Sequence, residues 1–285
     1  MDYKVKNGLL YENNGKNDWE QVDFYPTPNK SGNITPRFLV IHYTAGSLDA
    51  RGTATYFQKP SAKSSAHLTM DLNGKIVQSV ELNVKAWHAG KSQWAGEVGL
   101  NNCSIGIEVV NPGPLTKTSD GQWKTWWGHL ISGDEVRDII ESPHPNNPNG
   151  PVYGWVPFTK QQINSLIAVG QELMTSFGLD ECVGHDMISP GRKTDPGPCM
   201  DTRVYDQINR SRSDGAGDFE WQVNATILNG RAGPSTSYDI IKELAKGETV
   251  EILNRQGHWW FVDTEDGKDV WVHSKFLRLN RVEYD

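Results

Sequence analysis

The sequence predicts an α/β domain with a central β-sheet, followed by a small all-β barrel. Two near-continuous apolar runs, residues 37–43 and 104–110, are rich in branched and aromatic side chains, which is typical of strands buried on both faces. Residues 163–177 repeat apolar side chains at helical spacing, which predicts an amphipathic helix packed on that sheet. Beyond residue 220, short apolar stretches alternate with glycine-containing turns, as they do in small barrels.

Composition restricts the class of protein. At 285 residues, with 36% hydrophobic and 22% charged residues, the chain suits one or two globular domains. A formal net charge of −7 without a block of like charges argues against a nucleic-acid partner. No apolar run approaches the ~20 residues of a membrane span, and the amino terminus lacks the apolar core of a secretory signal. We expect a monomer made in the cytoplasm without a signal peptide, unless a signal has been removed.

The three cysteines, Cys103, Cys182 and Cys199, form no C-x-x-C pair. Such a sparse, odd set is neither a disulfide framework nor a thiolate zinc cluster. Cys103 precedes an apolar strand and is expected to be a small core residue.

Local signals place several further elements. Residues 1–36 are polar and rich in turn residues, which predicts a lead-in with one hairpin. A short helix is predicted over residues 48–58. Alternating residues on both sides of Asn73 and Gly74 predict a β-hairpin, because Asn-Gly is the strongest short-range hairpin signal.

The amphipathic helix has clear end signals. Thr159 and Gln162 form a capping box at its start, and Gly178 provides the residue that ends it. Residues 202–210 are expected to form a closing helix.

Residues 111–157, which we call the long connection, show no sustained periodicity. Connections of this length are often lids, binding loops or family-specific insertions. Its tryptophans either line a substrate groove or pack the connection onto the body of the domain; they are Trp123, Trp126, Trp127 and Trp155.

Residues 212–220 are small and polar and are predicted to be a linker. The predicted domains are therefore residues 1–211 and residues 221–285. Strands of the second domain are predicted at 223–228, 249–253, 259–262 and 270–273.

Residues 184–198 contain one imidazole, two carboxylates and two cations among glycines and prolines. Proline fixes φ and glycine permits positive φ, so we predict an irregular loop that orients side chains. The loop could bring His185 and Asp195 onto one ion, given further ligands from elsewhere. The alternative is a surface loop with a solvated histidine and a few ion pairs.

Two residues of the predicted strands carry chemistry. His42 ends the first strand, where open α/β folds place their sites, although an inert hydrogen-bonded histidine is the alternative. Glu108 interrupts the second strand, and a lone carboxylate there is costly unless it is paired, metal-bound or protonated. With His185, Lys193 and Asp195 they supply what zinc catalysis needs: three ligands, a base and a cation for an oxyanion.

This combination resembles the zinc-dependent N-acetylmuramoyl-L-alanine amidase type 2 family, which includes phage endolysins, AmpD-type recycling amidases and peptidoglycan recognition proteins. The matching segments occur in the family's order at residues 39–44, 65–67, 86–90, 104–108 and 184–197. The resemblance implies a mixed central β-sheet flanked by helices. It also implies hydrolysis of the amide bond between N-acetylmuramic acid and L-alanine in peptidoglycan.

The resemblance further implies that Zn²⁺ is held by His42, His185 and Asp195. Glu108 corresponds to the carboxylate that assists the catalytic water, and Lys193 to the cation that stabilises the tetrahedral oxyanion.

Three further residues fall in family motifs. Trp87 and His88 belong to a Trp-His-Ala-Gly loop that borders the substrate groove, so the resemblance implies substrate binding. His67, in the Ser-Ala-His motif, is either a partner of the metal ligands or a purely structural residue, and we favour the structural role.

The second domain is similar to bacterial SH3-type modules, with matching pieces at residues 228–235, 244–247, 257–262 and 270–273. Gly230 stands where such modules usually have valine. In similar enzymes these modules bind the cell wall, so we expect peptidoglycan as the partner. The tryptophans Trp259, Trp260 and Trp271 are either exposed binding residues or barrel core.

Several roles share this chemistry: an endolysin, a secreted wall-remodelling enzyme and a cytoplasmic recycling amidase. The missing signal favours the first or the last, and the wall-binding module favours action on the polymer, so an endolysin-type role is expected. The alternatives are a peptidoglycan-binding protein without catalysis and a wall hydrolase with a cysteine nucleophile. The first alternative is disfavoured because all three predicted metal ligands are present. The second is disfavoured because the cysteines lack a histidine partner in a fitting motif.

Overall fold

The computed structural model describes residues 2–13, 15, 18–132, 138–210, 219–256 and 259–281. Within those ranges the α-helices are α1 (Ala50–Phe57), α2 (Lys160–Phe177), α3 (His185–Ile188) and α4 (Thr202–Asn209). Short 3₁₀ turns lie at Pro60–Ala62, Leu100–Asn102 and Ser274–Phe276.

The strands up to residue 184 are β1 (Tyr3–Lys6), β2 (Leu9–Asn13), β3 (Trp19–Gln21), β4 (Asp23–Phe24), β5 (Lys30–Asn33), β6 (Phe38–Tyr43), β7 (Leu68–Met70), β8 (Ile76–Gln78), β9 (Val84–Ala86), β10 (Gln93–Trp94), β11 (Glu97–Val98), β12 (Ser104–Val109), β13 (Thr116–Lys117), β14 (Trp123–Lys124), β15 (Leu130–Ile131), β16 (Ile140–Ser142), β17 (Tyr153–Trp155) and β18 (Glu181–Gly184). The later strands are β19 (Phe219–Val223), β20 (Ile227–Arg231), β21 (Ile240–Ala245), β22 (Thr249–Gln256), β23 (Trp259–Thr264), β24 (Val270–His273) and β25 (Leu277–Arg281).

The first domain is built on a sheet with strand order β18-β6-β12-β7-β8-β4. Strands β18, β6, β12 and β7 run parallel, whereas β7 and β8 are antiparallel. Every residue of β6 is buried, as expected for an inner parallel strand covered on both faces. The predicted mixed sheet and its two apolar strands are therefore confirmed.

Alternate residues of β6 belong to two cores. Leu39 and Ile41 lie in the core that contains the buried face of α2. Phe38 and Val40 lie in a second core on the opposite face, because successive strand side chains point to opposite faces. His42 is the next residue of the second series, so its side chain is on the face away from α2.

The predicted ends of α2 are confirmed. Thr159 Oγ1 accepts a hydrogen bond from the Gln162 backbone N–H (3.0 Å), and Gln162 Oε1 accepts one from the Thr159 N–H (2.9 Å). Gly178 ends the helix in the left-handed region at φ 59°. No helix among the described residues is long and apolar enough to cross a bilayer.

The other local predictions for this domain are mostly confirmed. Strands β7 and β8 form the predicted hairpin around Asn73 and Gly74, α1 lies within residues 48–58, and α4 lies within residues 202–210. The predicted irregular loop after β18 contains one helical turn, α3, which the many glycines and prolines had not indicated.

The lead-in and the long connection contain more structure than their sequences predict. Strands β1, β2 and β3 form a three-stranded sheet, and β4 joins the central sheet beside β8. The long connection forms short hairpins from β13 to β17. These strands are two to five residues long, and β4 pairs with a strand distant in sequence, so local patterns carry little signal for them.

The second domain is a seven-stranded antiparallel sheet in the order β21-β20-β24-β23-β22-β19-β25 among the described residues. The predicted strands at 249–253, 259–262 and 270–273 are confirmed. The predicted strand at 223–228 is wrong, because residues 224–226 turn between β19 and β20. Apolar residues on both sides of that turn gave the appearance of one strand. The domain boundaries remain a prediction, since residues 212–218 of the proposed linker lie outside the described residues.

The two domains share a hydrophobic core. Trp94 of the first domain contacts Trp221 and Trp260 of the barrel edge-on, with ring centroids 6.1 and 5.1 Å apart, and the two barrel rings are 4.8 Å apart. The Trp94 Nε1–H donates to Glu181 Oε2 over 2.8 Å, so the hairpin β10–β11 is tied to the central sheet as well. Of the two interpretations of the barrel tryptophans, the core role applies to Trp260, which is 1% exposed.

We expect Thr159→Ala to lower the free energy of unfolding by about 1 kcal/mol, because it removes the acceptor that caps α2. It also removes the hydrogen bond from Thr159 Oγ1 to the Leu72 carbonyl (2.6 Å). Urea unfolding followed by circular dichroism measures the change. Thr175→Ala, an exposed position of the same helix, is the control and should change stability by less than about 0.5 kcal/mol. Equal effects of the two substitutions would contradict the capping role.

Candidate metal centre

One cleft of about 540 Å³ collects every residue that the sequence predicts for the site. Those residues are His42, Trp87, His88, Glu108, His185, Lys193 and Asp195. They come from strands, from loops and from positions up to 153 residues apart. The tertiary fold therefore brings the predicted site residues together in one cleft.

The parallel register of the sheet places the first two of these residues together. His42 of β6 is paired with Glu108 of β12, and both side chains lie on the same face. His185 follows β18, the other neighbour of β6, so it emerges at the same carboxyl edge. This edge is where open α/β sheets generally bind ligands.

Three ligand atoms converge at this edge. His42 Nδ1 and His185 Nδ1 are 2.9 Å apart, and each lies 2.8 Å from Asp195 Oδ2. All three residues are buried. Among the described residues they form the one group of three or more histidine, cysteine or acidic side chains with metal-site spacing.

The hydrogen bonds behind His42 determine its tautomer. His88 Nε2 faces the Ser104 carbonyl (3.4 Å), which can only accept, so that nitrogen carries the proton. His88 Nδ1 must then accept from His42 Nε2 (3.0 Å). The lone pair of His42 is consequently on Nδ1, the atom that faces Asp195. Burial lowers the pKa of His42 to about 4, with a smaller contribution from His185, so the ring is neutral at pH 7.

His185 has an equivalent partner. Its Nε2–H donates to the Ala89 carbonyl over 3.0 Å, which leaves the lone pair on Nδ1. Arg192 Nη2 donates to the same carbonyl (2.9 Å) and to the Lys91 carbonyl (2.7 Å), so the segment is held on both sides. Such partners of the distal ring nitrogen are what orient metal-binding histidines.

The donor set fits a zinc ion. The Nδ1 atoms of His42 and His185 both carry lone pairs, so no hydrogen atom lies between them. These two atoms and Asp195 Oδ2 are all less than 3 Å from one another. Lone pairs in that arrangement repel one another unless a cation lies between them. Neutral imidazole nitrogen and carboxylate oxygen are typical ligands of catalytic zinc, which uses three protein ligands and keeps one position open.

The loop that carries two of these ligands is closed and braced. The Asp186 N–H donates to the Asp195 carbonyl (2.7 Å), which brings the two ends of the loop together. The long connection braces it from outside, since His144 Nε2 lies 3.3 Å from Asp186 Oδ2 and Asn146 Nδ2 donates to the Asp186 carbonyl (3.1 Å). Nothing in the sequence indicated this brace, because His144 lies in a segment without a recognisable motif.

Glu108 lies beside the three ligands with an unusual environment. Its Oε2 is buried and has no hydrogen-bond partner among the described residues. Burial raises the pKa of Glu108 well above its ordinary value, the charge of Asp195 adds to the effect, and Lys193 opposes it. A carboxyl group with a raised pKa can exchange protons near neutral pH.

The segment with Trp87 and His88 is positioned by short polar contacts. Ser65 Oγ accepts from the Trp87 N–H (3.0 Å), and Asn101 Oδ1 accepts from the His88 and Ala89 N–H groups (3.0 and 2.7 Å). A Cβ at position 106 would lie 2.5 Å from the His88 ring, so only glycine admits this ring beside His42. His88 thus contacts a predicted metal ligand directly, besides lining the cleft.

Aromatic residues form part of the cleft rim. Trp126 of the long connection is 74% exposed, donates from Nε1 to the Ala45 carbonyl (2.7 Å) and lines the cleft. Tyr56 of α1 is another half-exposed lining residue that the sequence had not singled out. Trp155, in contrast, is 3% exposed and packs in the core. The two interpretations of the tryptophans therefore apply to different members of the set.

Family comparisons agree with this arrangement. Residues 32–198 match the family model described as N-acetylmuramoyl-L-alanine amidase, and residues 228–278 match that of the bacterial SH3 domain. The chain belongs to the N-acetylmuramoyl-L-alanine amidase family. The amidase match contains all seven predicted site residues, and the second match lies within the barrel.

Two curated relatives show the range of similarity. The N-acetylmuramoyl-L-alanine amidase AmiD of Escherichia coli K12 is 32% identical over 227 residues, which are 78% of this chain and 66% of AmiD. The 1,6-anhydro-N-acetylmuramyl-L-alanine amidase AmpD of Salmonella typhimurium LT2 is 28% identical over 158 residues, or 55% of this chain and 63% of AmpD. The chain thus spans less than two thirds of the length of either relative.

Solved amidase structures are also similar. AmpD matches with a TM-score of 0.45 and 24% identity over 66% of this chain and 93% of its own. Escherichia coli AmiD, in complex with anhydro-N-acetylmuramic acid-L-Ala-D-γ-Glu-L-Lys, matches with a TM-score of 0.44 and 25% identity over 72% of this chain and 65% of its own.

His67 of the amidase domain is bound on both ring nitrogens by backbone. Its Nδ1 accepts from the Gly106 N–H (2.9 Å), and its Nε2–H donates to the Val84 carbonyl (2.8 Å). This geometry is consistent with the structural role favoured from the sequence. Burial lowers the pKa of His67 to about 4, against 6.5 for an ordinary histidine, so the folded protein keeps the ring neutral.

We expect His67 to make the folded state less stable as the pH falls from about 6.5 to about 4. In that window the unfolded chain binds a proton at His67 and the folded chain does not, so acid favours unfolding by up to about 3 kcal/mol. Urea midpoints of wild type and His67→Gln across this range measure the difference, and the variant should show the shallower slope. His129→Gln, at an exposed position, is the control; identical slopes for wild type and His67→Gln would contradict the expectation.

Proposed function

We propose that the chain is a zinc-dependent amidase that hydrolyses the bond between the lactyl group of N-acetylmuramic acid and the L-alanine of the peptidoglycan stem peptide. The observation that carries the proposal is the convergence of His42, His185 and Asp195 in one cleft with Glu108 and Lys193. Membership of the amidase family supports the same substrate class.

In this proposal His42, His185 and Asp195 would hold the zinc ion. A bound zinc ion would supply a Lewis acid and would lower the pKa of water toward ~7. The protein residues then keep the ligands in place: His88 and the Ala89 carbonyl hold the two rings in the tautomer that leaves Nδ1 free.

Glu108 acts as the proton carrier of the reaction. Its raised pKa lets it take a proton from the attacking water and release it to the leaving amine of L-alanine. Lys193, which lines the same cleft, places a positive charge toward the oxyanion of the tetrahedral intermediate. Trp87 and His88 form the neighbouring wall, where they border the bound substrate.

The alternatives are less well supported by the site. A binding protein without catalysis does not require a buried carboxyl oxygen, Glu108 Oε2, that lacks a hydrogen-bond partner among the described residues and lies beside three potential metal ligands. A cysteine hydrolase requires a reactive thiolate, but burial raises the pKa of Cys103 and of Cys199 to about 11 and that of Cys182 well above its ordinary value. These thiols therefore stay protonated at neutral pH.

The bacterial SH3 domain favours the wall polymer over soluble fragments. We propose a monomeric, endolysin-type enzyme that acts on the cell wall and binds peptidoglycan through both domains. A cytoplasmic amidase that recycles muropeptides is the alternative, as the similarity to AmpD illustrates.

Glu108→Gln should lower kcat for release of stem peptides from purified sacculi by about 10²- to 10⁴-fold while zinc stays bound. The substitution removes the proton carrier and leaves all three ligands intact. Released amino termini and zinc content measure the two properties on the same sample. Glu141→Gln, an exposed glutamate of the long connection, is the matched control and should keep wild-type activity. Full activity in a zinc-loaded Glu108→Gln protein would overturn the assigned role.

Intact sacculi and soluble 1,6-anhydro-muropeptides distinguish the two biological roles. We expect kcat/KM, calculated per scissile bond, to be at least about tenfold higher for sacculi, because a second wall contact raises the effective substrate concentration. Glu108→Gln supplies the background for both substrates. Preference for the soluble fragment would instead identify a recycling amidase, and no hydrolysis of either by zinc-loaded protein would overturn the amidase itself.

A further inference from the structure

We propose that the cleft between the two domains is a second binding site, which takes the acidic peptide part of peptidoglycan. The proposal rests on the proposed function for its choice of peptide. The cleft has a volume of about 670 Å³ and is separate from the cleft that contains His42, His185 and Asp195. Neither domain forms it alone, since Trp94 and Arg192 of the first domain face Trp260 and Lys275 of the barrel across it.

The described lining of this cleft contains positive charges and no carboxylate. Three cationic residues, Lys91, Arg192 and Lys275, line it, and no aspartate or glutamate is present among its described lining residues. This cationic lining contrasts with the net charge of −7 of the whole chain.

Some other cations of the two domains are paired with carboxylates. Arg37 bonds both Glu97 and Asp180, and Lys242 bonds both Glu248 and Asp266. Arg192, in comparison, donates to carbonyl and hydroxyl oxygens, which position the guanidinium without neutralising it. A guanidinium held in this way is prepared for a carboxylate.

The rest of the lining suits a peptide rather than a free ion. Val98, Met187 and Ile188 give apolar surface beside the cations. A stem peptide such as L-Ala-D-γ-Glu-L-Lys combines methyl and methylene groups with free carboxylates, because the γ-linkage leaves the α-carboxylate of glutamate unbonded. This combination of apolar and anionic groups matches the cleft.

The cleft is also preorganised. The contacts among Trp94, Trp221 and Trp260 fix the barrel against the hairpin β10–β11, so its two walls are held in place before a ligand arrives. Preorganised walls reduce the entropy that binding costs.

A thin wall separates this cleft from the metal ligands. Arg192 Nη2 is 3.3 Å from His185 Nε2, and both groups donate to the Ala89 carbonyl. Arg192 lines the interdomain cleft and His185 lines the other one. A peptide held between the domains therefore lies next to the segment that orients a metal ligand.

Binding of the tripeptide L-Ala-D-γ-Glu-L-Lys to the zinc-loaded full chain tests the proposal. The tripeptide lacks the muramoyl amide, so it is not hydrolysed and its binding can be measured by calorimetry whether or not the amidase proposal holds. We expect the double variant Lys91→Gln/Lys275→Gln to weaken binding about tenfold at low salt. A tripeptide with the glutamate α-carboxylate amidated should bind wild type more weakly than the acid does.

The matched control is Lys75→Gln/Lys246→Gln. It removes one exposed lysine from each domain outside the cleft, with the same change of net charge, and should leave the Kd unchanged. Val98→Glu is a second test, since this residue is 72% exposed and a carboxylate there would repel the peptide without disturbing the core.

The tripeptide affinities of the cleft variants and of the control decide whether the interdomain cleft binds the peptide. Weaker binding in both cleft variants, with an unchanged control, supports the site. Equal weakening in the cleft and control double variants would indicate a general effect of net charge and overturn it, as would unaltered binding in the cleft variants or no binding to wild type. Loss of hydrolysis on sacculi with intact tripeptide binding would count against the amidase proposal alone.

Discussion

The parallel register between β6 and β12 is the constraint on which the site depends. It pairs His42 with Glu108 on one face of the sheet, opposite the face that α2 covers. A slip of one residue would exchange the two faces of β12 and put the carboxylate into the core under α2. Because β18 pairs with the other side of β6, His185 emerges at the same edge. Backbone pairing thus brings His42, Glu108 and His185, the proposed ligands and proton carrier, to one edge of the sheet.

The segment from Trp87 to Trp94 links the two halves of the molecule. Its Ala89 carbonyl accepts from His185 and from Arg192, its His88 ring contacts His42, and its Trp94 ring packs against both barrel tryptophans. The barrel therefore packs against the same backbone segment that orients His42 and His185, the proposed metal ligands. The barrel is held against the first domain by a shared hydrophobic core, which the predicted linker at residues 212–220 did not indicate.

Much of this architecture was predictable where the signal is local. The capping box of Thr159 and Gln162, the hairpin at Asn73 and Gly74, and the two apolar strands follow from contacts within a few residues, and all are observed. Prediction failed where a strand depends on a distant partner, as β4 does on β8. It also failed at residues 223–228, where apolar residues continue through a turn. A pattern of apolar residues indicates which side chains are buried. It does not indicate where the chain turns.

By itself the sequence pointed to Glu108, because a lone carboxylate inside an apolar strand is costly unless it is paired, metal-bound or protonated. The family motifs added His42, His185, Lys193 and Asp195 as proposed site residues. The tertiary structure alone decided how they are held: the tautomer of each histidine, the brace from the long connection and the cationic cleft between the domains. Those features rest on contacts between residues far apart in sequence, such as Asn146 with Asp186, His42 with His88, and Trp94 with Trp260, and local sequence patterns do not encode such distant contacts.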